Sequence, residues 1–553
     1  MTFSLRSRLK SRQLLALAGA AVALSLMAGC SSGSSAGGGS GEARGKEGGD
    51  LTFLIDSLGD TWIPNNGSIS SFQGHIFGHT TDKLVYVDEV GEVSPWVAES
   101  WEQNDEATEY TLHLRDGVTF SDGSPVDAEA VVTNLDAWAF GDPENGINPI
   151  GLFPKTYDGA EAVDASTVKV SFSAPTLGFI PTLGYHGSIL VSPETLKASP
   201  EEQADLSNIV GSGPYTVKSW KEGDSVVLEK REDYDWSPEV FEHDGAAYID
   251  TITYKLVAES ATRTGAVQAG QADVAYNVTP KELASLEQQG LEIALPRYLG
   301  FVDGFRLNSA VAPFDDERVR QAFQHGIDRQ VLLDTVYTDG WEAAESFIQS
   351  NVPEATDHSE AFAYDPALSE KLLDEAGWKK GSDGVREKNG KPLELTLQPN
   401  PYLPTSEAMD ELIAQQLGEI GFDVKIESYD VVTWGERVLA IANELPLFEV
   451  SRSFIDVGTV ASILTDANNG EDWFGAGSDD ETLNRLRDEI AQATDLDTRA
   501  KAVDELQAYV LEQGYFVPRT QMVQRIYAQN PDLKGVTYNG VAFANYSTAW
   551  FED

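Results

Sequence analysis

The only cysteine among 553 residues is Cys30, so no intramolecular disulfide can form and the fold must rest on core burial alone. What surrounds that cysteine is also diagnostic. Arg6, Arg8, Lys10 and Arg12 precede an apolar run from Leu14 to Ala28 that ends at Gly29-Cys30. A basic start, a short apolar stretch and small residues at its end read as a secretory signal over residues 1–29. The run is shorter than the ~20 residues needed to span a bilayer, and no comparable apolar run follows it. From Ser31 to Gly49 the chain is nearly all Ser, Gly and Ala with a few charges. Such a segment has no apolar side chains to pack and reads as a flexible tether with an r.m.s. span of roughly 25 Å.

About 500 residues remain, which exceeds one hydrophobic core and suits two or three domains. Period-two alternation marks half-buried strands at Tyr110-Thr111-Leu112-His113-Leu114, at Thr167 to Phe172 and at Thr251 to Leu256. Helical signals are interleaved with them. Asp365-Pro366 offers an N-cap and a first-turn proline, Leu368, Leu372 and Leu373 keep one face, and Gly377 stops the helix. Asp315-Asp316-Glu317 is an acidic first turn before inward-facing Val319, Ala322, Phe323 and Ile327, and two longer helical patterns run from Asp480 to Ala493 and from Asp497 to Gln513. No repeat of fixed period is present, so the mixture predicts α/β domains rather than a solenoid or propeller. The 39 basic against 89 acidic residues, a formal charge of -50, exclude nucleic acid and anionic lipid surfaces as partners, since both would repel the chain.

Five groups of segments then carry a resemblance. They are Pro95 to Glu102 with Leu112 to Pro125, Val210 to Tyr215, Arg231 to Trp236 with Ala269 to Val274, Pro313 to Arg329, and Leu372 to Trp378. In this order they resemble the large peptide, dipeptide and nickel solute-binding proteins that serve ATP-driven importers. Leu26-Met27-Ala28-Gly29-Cys30 likewise resembles a bacterial lipoprotein box, which implies lipidation of Cys30, palmitate included, and anchoring to the outer face of the cell membrane through that lipid alone. Most of the motif residues read as scaffold on their own chemistry. Gly117, Gly123 and Gly213 belong in turns or close approaches, and Pro125 and Pro214 fix local geometry.

The resemblance implies a class C (type II) periplasmic-binding-protein fold of α/β class, with two lobes around a ligand cleft and an extra domain. By that analogy residues 50–86, 192–299 and 519–553 build the first lobe, 87–191 the extra domain and 300–518 the other lobe, with 30–49 as the tether. The implied function is capture of a small molecule or short peptide by cleft closure and delivery to permease subunits powered by cytoplasmic ATPases. The protein would act as a monomer, without cofactor and without catalysis.

A reader of varied peptides must recognise the amino end, the carboxylate and the backbone amides, which calls for a buried acid and sometimes a base. In the resembled family the acid follows a strand near an aromatic residue. Phe448 to Asp456 resembles that segment, which implies Asp456 as the acid, with Phe454 beside it and Arg452 as a candidate partner for a ligand carboxylate. Trp434 matches a cleft tryptophan of the family, and Asn66, Gly67 and Ser68 occupy the first-lobe loop that touches ligand in relatives. Each has a plainer alternative: a helix cap for Asp456, an internal ion pair for Arg452, core packing for Trp434 and a turn for the loop. Of the other classes, Gly33-Ser34-Ser35-Ala36-Gly37 matches a hydrolase pattern by accident, because it lies in the tether. His75 and His79 share a helical face and are candidate metal ligands, with packing as the commoner role. A non-peptide solute, such as an opine, sugar, metallophore or nickel chelate, remains open because fold does not settle ligand.

Overall fold

The computed structural model describes residues 45–552, apart from 60, 65, 67–70, 244, 338–339, 459–460, 462–471, 477–478, 522 and 524. Strand Asp50–Ile55 runs parallel to Thr251–Leu256 on one side and to Val274–Tyr276 on the other. Both faces of that central position are covered, which explains why Leu51 to Ile55 is nearly continuous in apolar residues instead of alternating. The seven-stranded sheet is completed by Ser225–Lys230 and Tyr215–Lys221 at one edge and by Tyr527–Gln529 and Glu292–Ala294 at the other. Thr251–Leu256 does alternate, burying Ile252 and Tyr254.

A second sheet of four antiparallel strands is ordered Ala98–Gln103, Glu109–Leu114, Thr167–Phe172, Tyr157–Ala162. Tyr110, Leu112 and Leu114 point inward with Val168, Val170 and Phe172, and helix Ala128–Phe140 buries Val131, Leu135 and Trp138 against them. In a third region Asp303–Leu307 pairs antiparallel with Leu447–Val450 and with Phe516–Thr520. Helices Glu317–His325, Pro366–Glu375 and Ser406–Ile420 enclose a core around Phe305, Phe323, Leu373 and Ile413. The helix starts follow the capping chemistry of the sequence. Asp316 accepts from the Arg318 amide, and Asp365 from the Leu368 amide with Pro366 in the first turn. Asp480 and Asp495 cap Glu481–Gln492 and Leu496–Glu512, whose apolar faces pack on one another.

Motif residues from Leu112 to Pro125, Val210 to Tyr215 and Arg231 to Trp236 are drawn together where the first two sheets meet. Arg231, almost fully buried, donates to the carbonyls of Thr119 and Ser212 and to the Thr119 hydroxyl, so one side chain ties three separate segments. A side chain at Gly213 would put its Cβ 2.6 Å from the His79 carbonyl oxygen, which is why that position is glycine. Tyr234 and Trp236 both donate to Asp82 (3.1 and 2.8 Å). Burial pushes the Asp82 carboxyl up to about 7 despite these donors and that of Ser212. These residues are structural, as their turn chemistry suggests.

Candidate functional site

Asp456 lies just beyond strand Leu447–Val450 and is buried. Its Oδ1 accepts from Arg499 Nη1 at 2.7 Å. Arg499, in the first turn of Leu496–Glu512, spends the rest of its fork on Glu354, with Nε and Nη2 at 2.9 and 3.0 Å from the two carboxylate oxygens. Glu354 adopts φ +71°, a left-handed conformation that costs a non-glycine residue on the order of 1 kcal/mol. Gln507 Nε2 holds its carbonyl at 2.9 Å, and this backbone aims the carboxylate at the guanidinium. Burial raises the Glu354 carboxyl, with Arg499 pulling the other way and Asp456 adding to the rise. Burial alone would lower Arg499, but the two carboxylates outweigh it and hold the guanidinium above its ordinary value. Two acids and one base leave this buried group one negative charge in excess when all are ionised.

Asp456 and Arg499 form one end of a cavity of about 250 Å³, whose other walls include Phe153, Lys155, Thr156 and Pro175. The segment Ala174 to Gly178 thus faces Asp456 from the four-stranded region. Gly178 approaches so closely that a Cβ there would sit 2.2 Å from Asp456 Oδ2. On the other side of Asp456, Phe454 shares a small gap with Thr182 and Tyr185. Phe454 is buried edge-on against Phe301, with ring centroids 5.0 Å apart.

Arg452 is half-buried, and its carbonyl accepts from the Phe301 amide at 3.0 Å. Burial raises the Tyr185 hydroxyl, while the charge of Arg452 and a hydrogen bond with Ser453 lower it, so Arg452 acts next to this gap. Trp434 does not join the group. It is buried between Tyr402 and Phe448, centroids 6.0 and 5.8 Å away, which is the packing alternative. Asn66 is exposed and accepts from the amide and Nδ2 of Asn148 at 3.1 and 3.2 Å. Gly67, Ser68 and Cys30 lie outside the described residues.

His75 and His79 are fully buried on helix Ser71–Thr80. His79 Nε2 accepts from the Tyr546 amide at 3.0 Å, and His75 is ringed by Phe53, Tyr276 and Phe543. Burial lowers both imidazoles, His79 to about 4, so they pack as neutral rings. Among the described residues no group of three His, Cys, Asp or Glu is placed to hold a metal ion.

A second ionic group was not legible in the sequence. Arg519, fully buried in Phe516–Thr520, bonds Asp410 at 2.9 Å, Asp303 at 2.6 Å and Glu449, and stacks on Phe305. Three acids meet one base. Burial lifts Asp303 to about 6 and Asp410 well above the carboxylate range, against the pull of Arg519.

With the geometry established, comparison with known proteins defines the class. Residues 92–467 match the model for bacterial extracellular solute-binding proteins, family 5 (middle), and the chain belongs to that family. Its members are solute-binding proteins and not enzymes. Among curated relatives, the glutathione-binding protein GsiB of Pectobacterium atrosepticum is 30% identical over 376 residues, covering 67% of this chain and 65% of that one. GsiB of Escherichia coli K12 is 28% identical over 346 residues, 62% of each chain, so the match spans about 62% of its length. Among solved structures, the ABC transporter substrate-binding protein CtaP of Listeria monocytogenes superposes with a TM-score of 0.77 at 21% identity, over 92% of this chain and 100% of that one. The oligopeptide-binding protein AppA of Bacillus subtilis, solved with a nonapeptide, gives 0.73 at 21% identity, again over 92% and 100%. These likenesses establish the fold, a type II periplasmic-binding-protein architecture. No helix among the described residues is long and apolar enough to cross a membrane.

Proposed function

We propose that this protein is the extracytoplasmic substrate-binding component of an ABC importer, that it captures a short peptide by cleft closure, and that it delivers the peptide to the permease. The family match over residues 92–467 carries the class. The lobes are residues 50–86 with 192–299 and 519–553, and 300–518, with 87–191 as the extra domain. Cys30 is lipidated and holds the protein to the outer face of the cell membrane through the tether 30–49. The working state is a monomer.

The peptide reading is supported by the excess negative charge of Asp456, Glu354 and Arg499 at the head of a 250 Å³ cavity, which suits an amino end. Arg452 is the candidate for the ligand carboxylate, and Phe454 with Tyr185 for its apolar parts. A second reading, a non-peptide solute such as an opine, sugar, metallophore or nickel chelate, draws on one observation. Asp456 already has a cationic partner in Arg499 at 2.7 Å, and a ligand without an amine would leave that pair intact. Titration calorimetry with matched free and N-acetylated peptides separates the two. Tight binding of the free form only supports the amine reading, and equal affinity for both sinks it.

A further inference from the structure

Away from Asp456, a cavity of about 40 Å³ opens where helix Ser71–Thr80, the Val85–Val87 strand and the C-terminal segment around Asn539 and Asn545 meet. No residue between 300 and 518 lines it. Its walls are aromatic, with Tyr86, Trp96, Tyr234 and Phe241, and Lys83 lines it too. Lys83 is 6% exposed, yet its ammonium has no hydrogen-bond or ion-pair partner among the described residues. Its sequence neighbour Asp82 is engaged by Tyr234 and Trp236 and acts on Lys83 only at longer range. Solvent reaches this ammonium through the cavity, so an anion entering there replaces water beside Nζ with an opposite charge.

The polar groups on the opposite wall are one-sided. Asn539 Oδ1 accepts from the amides of Val541 and Phe543, and Asn545 Oδ1 accepts from the amide and hydroxyl of Ser547. Asn545 Nδ2 donates to Thr537, which leaves Asn539 Nδ2 as a donor without a partner among the described residues. The side-chain nitrogens left to meet a guest are therefore donors, one of them charged, beside the Tyr86 and Ser547 hydroxyls, whose protons are already donated to the Tyr538 carbonyl and to Asn545. Gly78 sits in the last turns of the helix and also lines the space. A Cβ built there meets nothing within 4 Å, so no packing contact demands glycine, although glycine weakens a helix relative to alanine. Its effect is to keep the cavity open.

From these features we infer that the cavity binds a short-chain carboxylate, with the anion on Lys83 and Asn539 and the alkyl tail against Trp96 and Tyr86. The enclosed volume admits roughly three water-sized groups, enough for a carboxylate group, and the open mouth leaves room for the short tail of acetate or propionate. The site is separate from the cleft at Asp456, so its occupancy does not depend on which ligand that cleft takes.

The test uses the full-length protein and sodium propionate, with sodium chloride at equal ionic strength as reference and melting temperature as readout. Binding at a hundred times Kd is expected to raise the melting temperature by about 3 °C over chloride. Lys83→Met and Gly78→Leu, the latter filling the space, are each expected to raise Kd at least tenfold while peptide binding at Asp456 stays within twofold. If Lys83→Met fails to fold, Gly78→Leu alone decides. An equal shift with chloride, no shift with propionate, or a propionate shift that survives Gly78→Leu overturns the assignment.

Discussion

Replacing Arg499 with methionine keeps most of the side-chain volume and removes the charge shared by Asp456 and Glu354. Three charge-assisted hydrogen bonds of 2.7, 2.9 and 3.0 Å are lost, and the side chains of both acids are nearly buried, at 3% and 10% exposure. Removing one partner of a buried ion pair typically costs 3 to 5 kcal/mol, because the remaining charge is left without compensation. Here two carboxylates are stranded, but Glu354 has an escape, since burial already raises its carboxyl and loss of Arg499 raises it further. Its protonation limits the penalty as the pH falls, each unit of pH below its new pKa relieving about 1.4 kcal/mol. The expected loss is therefore about 4 kcal/mol at pH 8 and measurably smaller at pH 5. Urea unfolding followed by tryptophan fluorescence, on wild type and Arg499→Met at both pH values, reads it as a shift in midpoint. A loss below about 1 kcal/mol at pH 8, or the same loss at both pH values, would show that the three side chains are not a coupled buried group.

Asp456→Asn is predicted to weaken an amine-bearing peptide by ~2 to 5 kcal/mol in calorimetry and to leave its N-acetylated form unaffected; equal losses for both would remove Asp456 from direct contact. Gly178→Ala places a Cβ 2.2 Å from Asp456 Oδ2, so it should force the two segments apart and lower peptide affinity at least tenfold; unchanged affinity would mean that they do not close on each other around ligand. Asp303 titrates at about 6 in the folded protein against an ordinary 3.8, so the folded state holds the extra proton between those values. The stability this contributes is complete below about pH 4 and is lost as the pH rises through 6, a fall on the order of 3 kcal/mol. Asp303→Asn should flatten that part of the stability profile, and a profile of unchanged slope would contradict it.

The local structure was readable wherever a short run of residues determines it. Asp365-Pro366 and Asp316 announce their helices because the cap is an interaction within three residues, and Glu109–Leu114 and Thr251–Leu256 show their buried face by alternation. Asp50–Ile55 gave no such alternation because both of its faces are covered. Family resemblance led to Asp456, but its partners lay beyond any local signal. Arg499 is 43 residues after Asp456 and Glu354 is 102 residues before it, and neither stands in a pattern that singles it out. The left-handed backbone of Glu354 has no glycine or asparagine to mark it. Arg519 was equally silent, since its three acids come from strands and a helix far apart in the chain. Trp434 and the His75–His79 pair carried two readings each, and only the packing around them distinguishes a cleft or metal ligand from a core residue.

The most direct measurement is to purify the protein natively, denature it, and identify by mass spectrometry the small molecules it releases. Short peptides with a free amino end are the predicted result. A released sugar or metal chelate, with no peptide, would contradict the peptide reading and leave the amine-recognition role of Asp456 without support.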